Sequence, residues 1–119
     1  MKIAVTSQGT DLDAMVDPRF GRAAYLIVVD TETFDFKVID NSQNVNAMKG
    51  AGIQAASNIV DSGAEVLLTG FCGPNAFKAL TAGKVSVSND ASGTVREAVK
   101  AYLDGSLPSA DSANVEGHW

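Results

Sequence analysis

Two short stretches carry side chains and backbone suited to holding an anion. Asp17-Pro18-Arg19-Phe20-Gly21-Arg22 sets two guanidinium groups three residues apart, the only arginines in the first 95 residues. Thr69-Gly70-Phe71-Cys72-Gly73-Pro74-Asn75 places two glycines where a ligand can approach the backbone, and Pro74 reads as the first residue of a helix. A helix N-terminus presents unpaired N–H groups and partial positive charge, which favour negative groups. Cys72 is the one cysteine of the chain. Ahead of a helix its pKa would fall; as a small buried residue it would be inert, which is the commoner case. The arginines have an equally plain alternative, pairing with Asp17 or another surface carboxylate. Phe20, Phe71 and Phe77, taken singly, read more readily as core than as pocket walls.

Other chemistries fail on residue type. The single histidine, His118, stands next to the terminus, and one cysteine cannot form an internal disulfide or supply several thiolates to zinc or iron–sulfur. The first apolar run, Ile3-Ala4-Val5, lacks the carboxylates that a magnesium-dependent nuclease needs. Lys78 stands six residues after Cys72, where a cysteine phosphatase loop needs arginine. No Cys-x-x-Cys, Gly-x-Ser-x-Gly, phosphate-loop or His-Glu-x-x-His pattern occurs. A binding protein without turnover is therefore expected. With 9 basic against 14 acidic residues and a net charge of −5, the chain offers no basic stripe to nucleic acid or an anionic membrane. No apolar run reaches the roughly 18 residues of a membrane span, and no signal-peptide pattern precedes the first strand. A cytoplasmic location is the expectation.

The elements that must position these loops follow from the hydrophobic pattern. Lys2 to Thr6 and Tyr25 to Val29 read as buried strands, separated by a long loop from Ser7 to Gly21. Phe34, Phe36 and Val38 alternate with Asp35 and Lys37, predicting a strand with one wet face that forms an antiparallel hairpin with its predecessor. A helix is expected over Met48 to Ser62, stopped by Gly63, and a short strand over Val66 to Leu68. The helix opened by Pro74 should end at Gly83, with a strand over Lys84 to Val87 after it. Thr94 and Glu97 fit a capping box for a last helix that Gly105 and Pro108 terminate. The order β-β-β-α-β-α-β-α, with right-handed crossovers, predicts a mixed five-stranded sheet with helices on both faces, in a ribonuclease H-like arrangement. One domain over residues 1–105 and a polar, acidic tail over 106–119 are expected.

The Asp17–Arg22 motif, with Gly73-Pro74-Asn75-Ala76-Phe77 after an apolar strand, resembles the dinitrogenase iron–molybdenum cofactor biosynthesis family. That family includes nitrogenase accessory proteins that carry cofactor or its precursors. Within it the short, acidic, stand-alone chain is most similar to the orange protein branch. The resemblance implies the same fold without nuclease activity. It also implies a mixed molybdenum–copper sulfide cluster of thiomolybdate type, or another molybdenum or iron–sulfur cluster, held largely without protein ligands. The matching positions are Arg19, Phe20, Gly21 and Arg22 in the first motif and Gly73, Pro74 and Asn75 in the second. Many relatives carry a histidine in a glycine-rich stretch before the first helix. Here that stretch, Asn41 to Gly52, keeps its glycines and has no histidine.

A cluster of this kind is an anion that brings its own sulfide ligands. It requires positive potential, N–H donors and an apolar wall that excludes water. Arg19, Arg22, Lys49 and the backbone from Gly70 to Asn75 are the expected source of the first two. Phe20, Met48 and Phe71 are the expected wall, and Met48 or Cys72 the soft sulfur contacts that suit copper. The expected function is to carry or store such a cluster and exchange it with protein partners. The alternative is an adaptor whose basic crevice binds an acidic or phosphorylated partner segment. A thiol-redox role for Cys72 is a third, weaker reading. The first two require the two loops to lie side by side.

Overall fold

The computed structural model describes residues 1–41 and 51–107. Five strands, β1 (Lys2–Ser7), β2 (Tyr25–Asp30), β3 (Phe36–Asp40), β4 (Val66–Leu68) and β5 (Ser86–Ser88), form one sheet in the order β3-β2-β1-β4-β5. β1 pairs antiparallel with β2, and β2 with β3; β1 pairs parallel with β4, and β4 with β5. Helices α1 (Ala51–Ser62) and α2 (Pro74–Ala82) supply the crossovers, and α3 (Val95–Leu103) follows the last strand. This is the expected element order and ribonuclease H-like sheet. The predicted start of α1 at Met48 lies outside the described residues, as do Lys49, His118 and the rest of the tail beyond Leu107.

Alternation along the strands builds two cores. Ala4, Leu26, Val28, Leu67 and Val87 face α1 and α2, where they pack on Ala55, Ile59, Ala76 and Leu80. Ile3, Val5, Ile27, Val29 and Leu68 face α3, where they pack on Val95, Ala98 and Val99. β1 is buried from Ile3 to Ser7, so its apolar run reads without alternation, as a central strand should.

Two expectations are corrected. Phe36 and Val38 lie on the open side of the edge strand, 40% and 39% exposed, while Ile39 is the residue packed inward. Phe34 belongs to the turn before β3, at φ 61°, and rests on the α3-side core. The physical reason is coverage: α1 overlies the Ile39 face at this edge, whereas α3 packs over the centre of the other face. α2 ends at Gly83, as expected, and the left-handed residue that follows is Lys84, at φ 64°, whose N–H bonds to Thr81 O while that of Val85 bonds to Leu80 O. Gly83 is small because a Cβ there would run into the Val60 side chain of α1. Secondly, β5 starts two residues later than the expected Lys84 start, because Lys84 and Val85 complete that helix cap.

Candidate functional site

In open sheets of this kind ligands bind beyond the carboxyl ends of the parallel strands. The buried polar residues of this protein collect there. Among the described residues they are Thr6, Ser7, Asp17, Asn41, Thr69 and Ser88. Each lies at the carboxyl end of β1, β3, β4 or β5, or in the loop that follows. Asn89, just past β5, carries the one buried side-chain oxygen or nitrogen that has no hydrogen-bond partner among the described residues. The sequence reading missed this polar belt. Its signal was a hydroxyl or amide closing each apolar run, as in Val5-Thr6-Ser7 and Leu68-Thr69.

The belt joins the two loops. Thr6 Oγ1 donates to Asp17 O at 2.6 Å and is hydrogen-bonded to Thr69 Oγ1 at 3.0 Å. Asp17 N–H donates back to Thr6 O at 2.9 Å. Farther out, Phe71 N–H donates to Pro18 O at 2.7 Å, and Phe20 N–H to Phe71 O at 3.2 Å. Arg19 and Phe71 thus form a parallel bridge, and the first loop runs directly beside the second. Gly70 permits this approach, since a Cβ would stand 2.7 Å from Pro18 Cα. Its smallness serves the loop–loop seam. The Ser7–Gly21 loop is also tied on its other side, for Val95 and Arg96 N–H donate to Ala14 O and Leu12 O, each at 2.9 Å.

These bonds leave the two later helix termini in opposite states. At α3 the first two N–H groups meet loop carbonyls. Thr94 Oγ1 then accepts from Glu97 N–H at 3.1 Å while Glu97 Oε1 accepts from Thr94 N–H at 2.9 Å. That terminus is closed by the protein itself. At α2 the N-cap is Gly73, in the extended conformation at φ −74° and ψ 166°, with no side chain to cap it. Pro74 has no N–H, Phe77 N–H bonds to Gly73 O, and no acceptor among the described residues meets Asn75 or Ala76 N–H. This terminus begins two residues after Phe71, which is bridged to Arg19 at the rim of the two loops.

The expected site residues divide sharply. Arg19, Phe71, Pro74 and Asn75 are exposed at this rim, with Phe71 39% exposed and the Arg19 side chain 51%. Arg22 is half-buried and Gly21, Gly70 and Gly73 are buried in the loops. Arg19 pairs with buried Asp17, Nε to Oδ1 at 3.6 Å, and Asp17 Oδ1 also accepts Arg19 N–H at 3.0 Å. The plain pairing anticipated for the arginines therefore exists at Arg19. It fixes the loop while leaving half of the guanidinium side chain open to solvent. Phe20 and Cys72 are fully buried in the core beneath α1 and α2. Burial pushes the Cys72 thiol up to about 12, opposite to the fall considered for a thiol ahead of a helix. The cause is desolvation of the thiolate, since Cys72 is fully buried in an apolar core cluster. Among the described residues no group of three or more His, Cys, Asp or Glu side chains converges. The donors at the rim are N–H groups, which fit an anion that carries its own ligands.

Comparison with known proteins finds relatives over most of the chain. The family model described as dinitrogenase iron-molybdenum cofactor matches residues 1–105. The apo form of the orange protein from Desulfovibrio gigas superposes with a TM-score of 0.93 at 49% identity, covering 96% of each chain. The NMR structure of a proposed NifB protein from Thermotoga superposes with a TM-score of 0.83 at 37% identity, covering 98% of each chain. An uncharacterized protein of Methanocaldococcus jannaschii is 28% identical over 110 residues, 90% of this chain and 89% of its own.

Proposed function

The chain belongs to the dinitrogenase iron–molybdenum cofactor family, and from that premise we propose that it binds and carries a molybdenum-containing metal–sulfur cluster at the rim of its two loops. The cargo in this reading is a mixed molybdenum–copper sulfide anion, retained without turnover and with little coordination from side chains. Likeness to the orange protein supports this branch of the family. The observation that carries the reading is the seam at Phe71. By bonding to both Pro18 and Phe20 it sets Arg19 and an exposed aromatic ring beside the uncapped N-terminus of α2. Positive potential, N–H donors and an apolar wall then meet in one place.

Reconstitution with copper and tetrathiomolybdate tests it. A visible charge-transfer band should travel with the protein through gel filtration, and Cys72→Ala should keep it. Colour that separates from the folded protein ends the proposal. Protein purified from its native host should contain molybdenum; near-zero molybdenum, with capture of a phosphorylated or acidic peptide, points to the adaptor reading.

A further inference from the structure

We infer that Asn89 is a further binding residue of the same site, whose amide Nδ2–H groups donate to the sulfide cargo; the inference rests on the cluster-carrying reading above. Asn89 stands just past β5 and is half-buried. Its Oδ1 is buried without a hydrogen-bond partner among the described residues, and no acceptor among them meets its Nδ2. Nδ2 is not one of the buried unpaired atoms, so it is the half of the carboxamide that reaches solvent. A buried, unpaired carbonyl oxygen lowers stability, and most such groups in folded proteins are satisfied. A carboxamide held in this way presents two N–H donors outward that the described protein does not use.

The sheet places those donors beside the second loop. β5 runs parallel to β4, with Val87 paired to Leu67 and Ser88 to Leu68. The pairing continues past both strands. Thr69 N–H donates to Ser88 O at 3.1 Å, Asp90 N–H to Gly70 O at 3.2 Å and Ala91 N–H to Thr69 O at 3.0 Å. Asn89 therefore stands next to Thr69 and Gly70, and Gly70 meets Pro18 of the first loop. Val87 and Leu67 face α1 and α2, and alternation carries that face on to Asn89 and Thr69. α2 crosses from β4 to β5, so its N-terminus, with the unmet N–H groups of Asn75 and Ala76, lies at the carboxyl ends of both strands on this same face. Side-chain amide and helix N–H groups then serve one anion from the same end of the sheet.

Protein loaded with copper and tetrathiomolybdate, desalted and followed by its visible band, tests this. Asn89→Leu keeps the shape and removes the donors, and should release the cargo about 10-fold faster than the native protein. Asn89→Asp should release it faster still, because a carboxylate cannot donate and repels an anion. Asn89→Leu should melt no lower than the native protein, since it removes an unpaired oxygen and strands no partner. In a heteronuclear NMR spectrum, the side-chain NH2 pair that vanishes in Asn89→Leu should shift when cargo is added to the native protein. Unchanged release from Asn89→Leu, while the native protein holds its colour, overturns this inference alone. So does a melting temperature that falls together with retention, or an NH2 pair that stays in place. A native protein that holds no colour overturns the parent reading with it.

Discussion

At Gly70 an added methyl would stand 2.7 Å from Pro18 Cα and 2.8 Å from Pro18 O, both backbone atoms that cannot step aside. Gly70→Ala should therefore cost about 1–3 kcal/mol in urea unfolding and part the two loops, reducing cluster retention as well. Cys72 behaves as a core residue. With its thiol pushed up to about 12 by burial, it should react with iodoacetamide far more slowly in native protein than in urea. The same shift has a pH consequence. A group whose pKa is raised on folding contributes stability below its unfolded value of 9.0 that is lost as pH rises toward the folded value, so alkaline unfolding should be eased by Cys72 and delayed in Cys72→Ala. Glu97 has the opposite sign. Hydrogen bonds from Thr94 lower its carboxyl, so its contribution is present above 4.5 and fades as the pH falls through the folded value. Thr94→Ala should flatten that acid limb.

The contrast between α2 and α3 is the functional statement at the scale of elements. Both begin at the same end of the sheet, yet α3 spends its N-terminal N–H groups on the capping box and the first loop. α2 has two N–H groups that meet no acceptor among the described residues. Gly73→Asp should close α2 in the same way, because the N-cap backbone is already extended and a carboxylate would take the open N–H groups. Cluster retention should fall sharply in gel filtration while helix content holds. Both helices were legible in the chain: Pro74 at the first turn and Thr94 with Glu97 are local signals that need no tertiary partner. The state of the termini was less so, since closing α3 also takes Ala14 and Leu12, about 80 residues away in sequence.

The molecule as a whole carries a net charge of −5 while its candidate site favours an anion. Long-range repulsion and short-range attraction then act on the same cargo, and salt screens the first over longer distances than the second. Raising ionic strength from a low value should speed association of tetrathiomolybdate with the protein, measured by stopped flow. Dissociation should quicken as well, because Arg19 is half exposed and its contribution is screened. Charge reversal at Arg19 should raise the dissociation rate most at low salt.

Element order, helix caps and the two candidate loop motifs were readable along the chain, because each rests on periodicity or on contacts within a few residues. The identity of the edge face was not. Phe36 and Val38 look like core until the position of α3 leaves them uncovered, and Ile39 takes the inward place because α1 overlies it. Nor could spacing tell that Phe20 and Cys72 go under the helices while Arg19 and Phe71 stay at the rim. Burial depends on which elements overlie a loop, a long-range property, and only the parallel pairing of β1 with β4 brought the two loops to one edge of the sheet and joined them at Phe71.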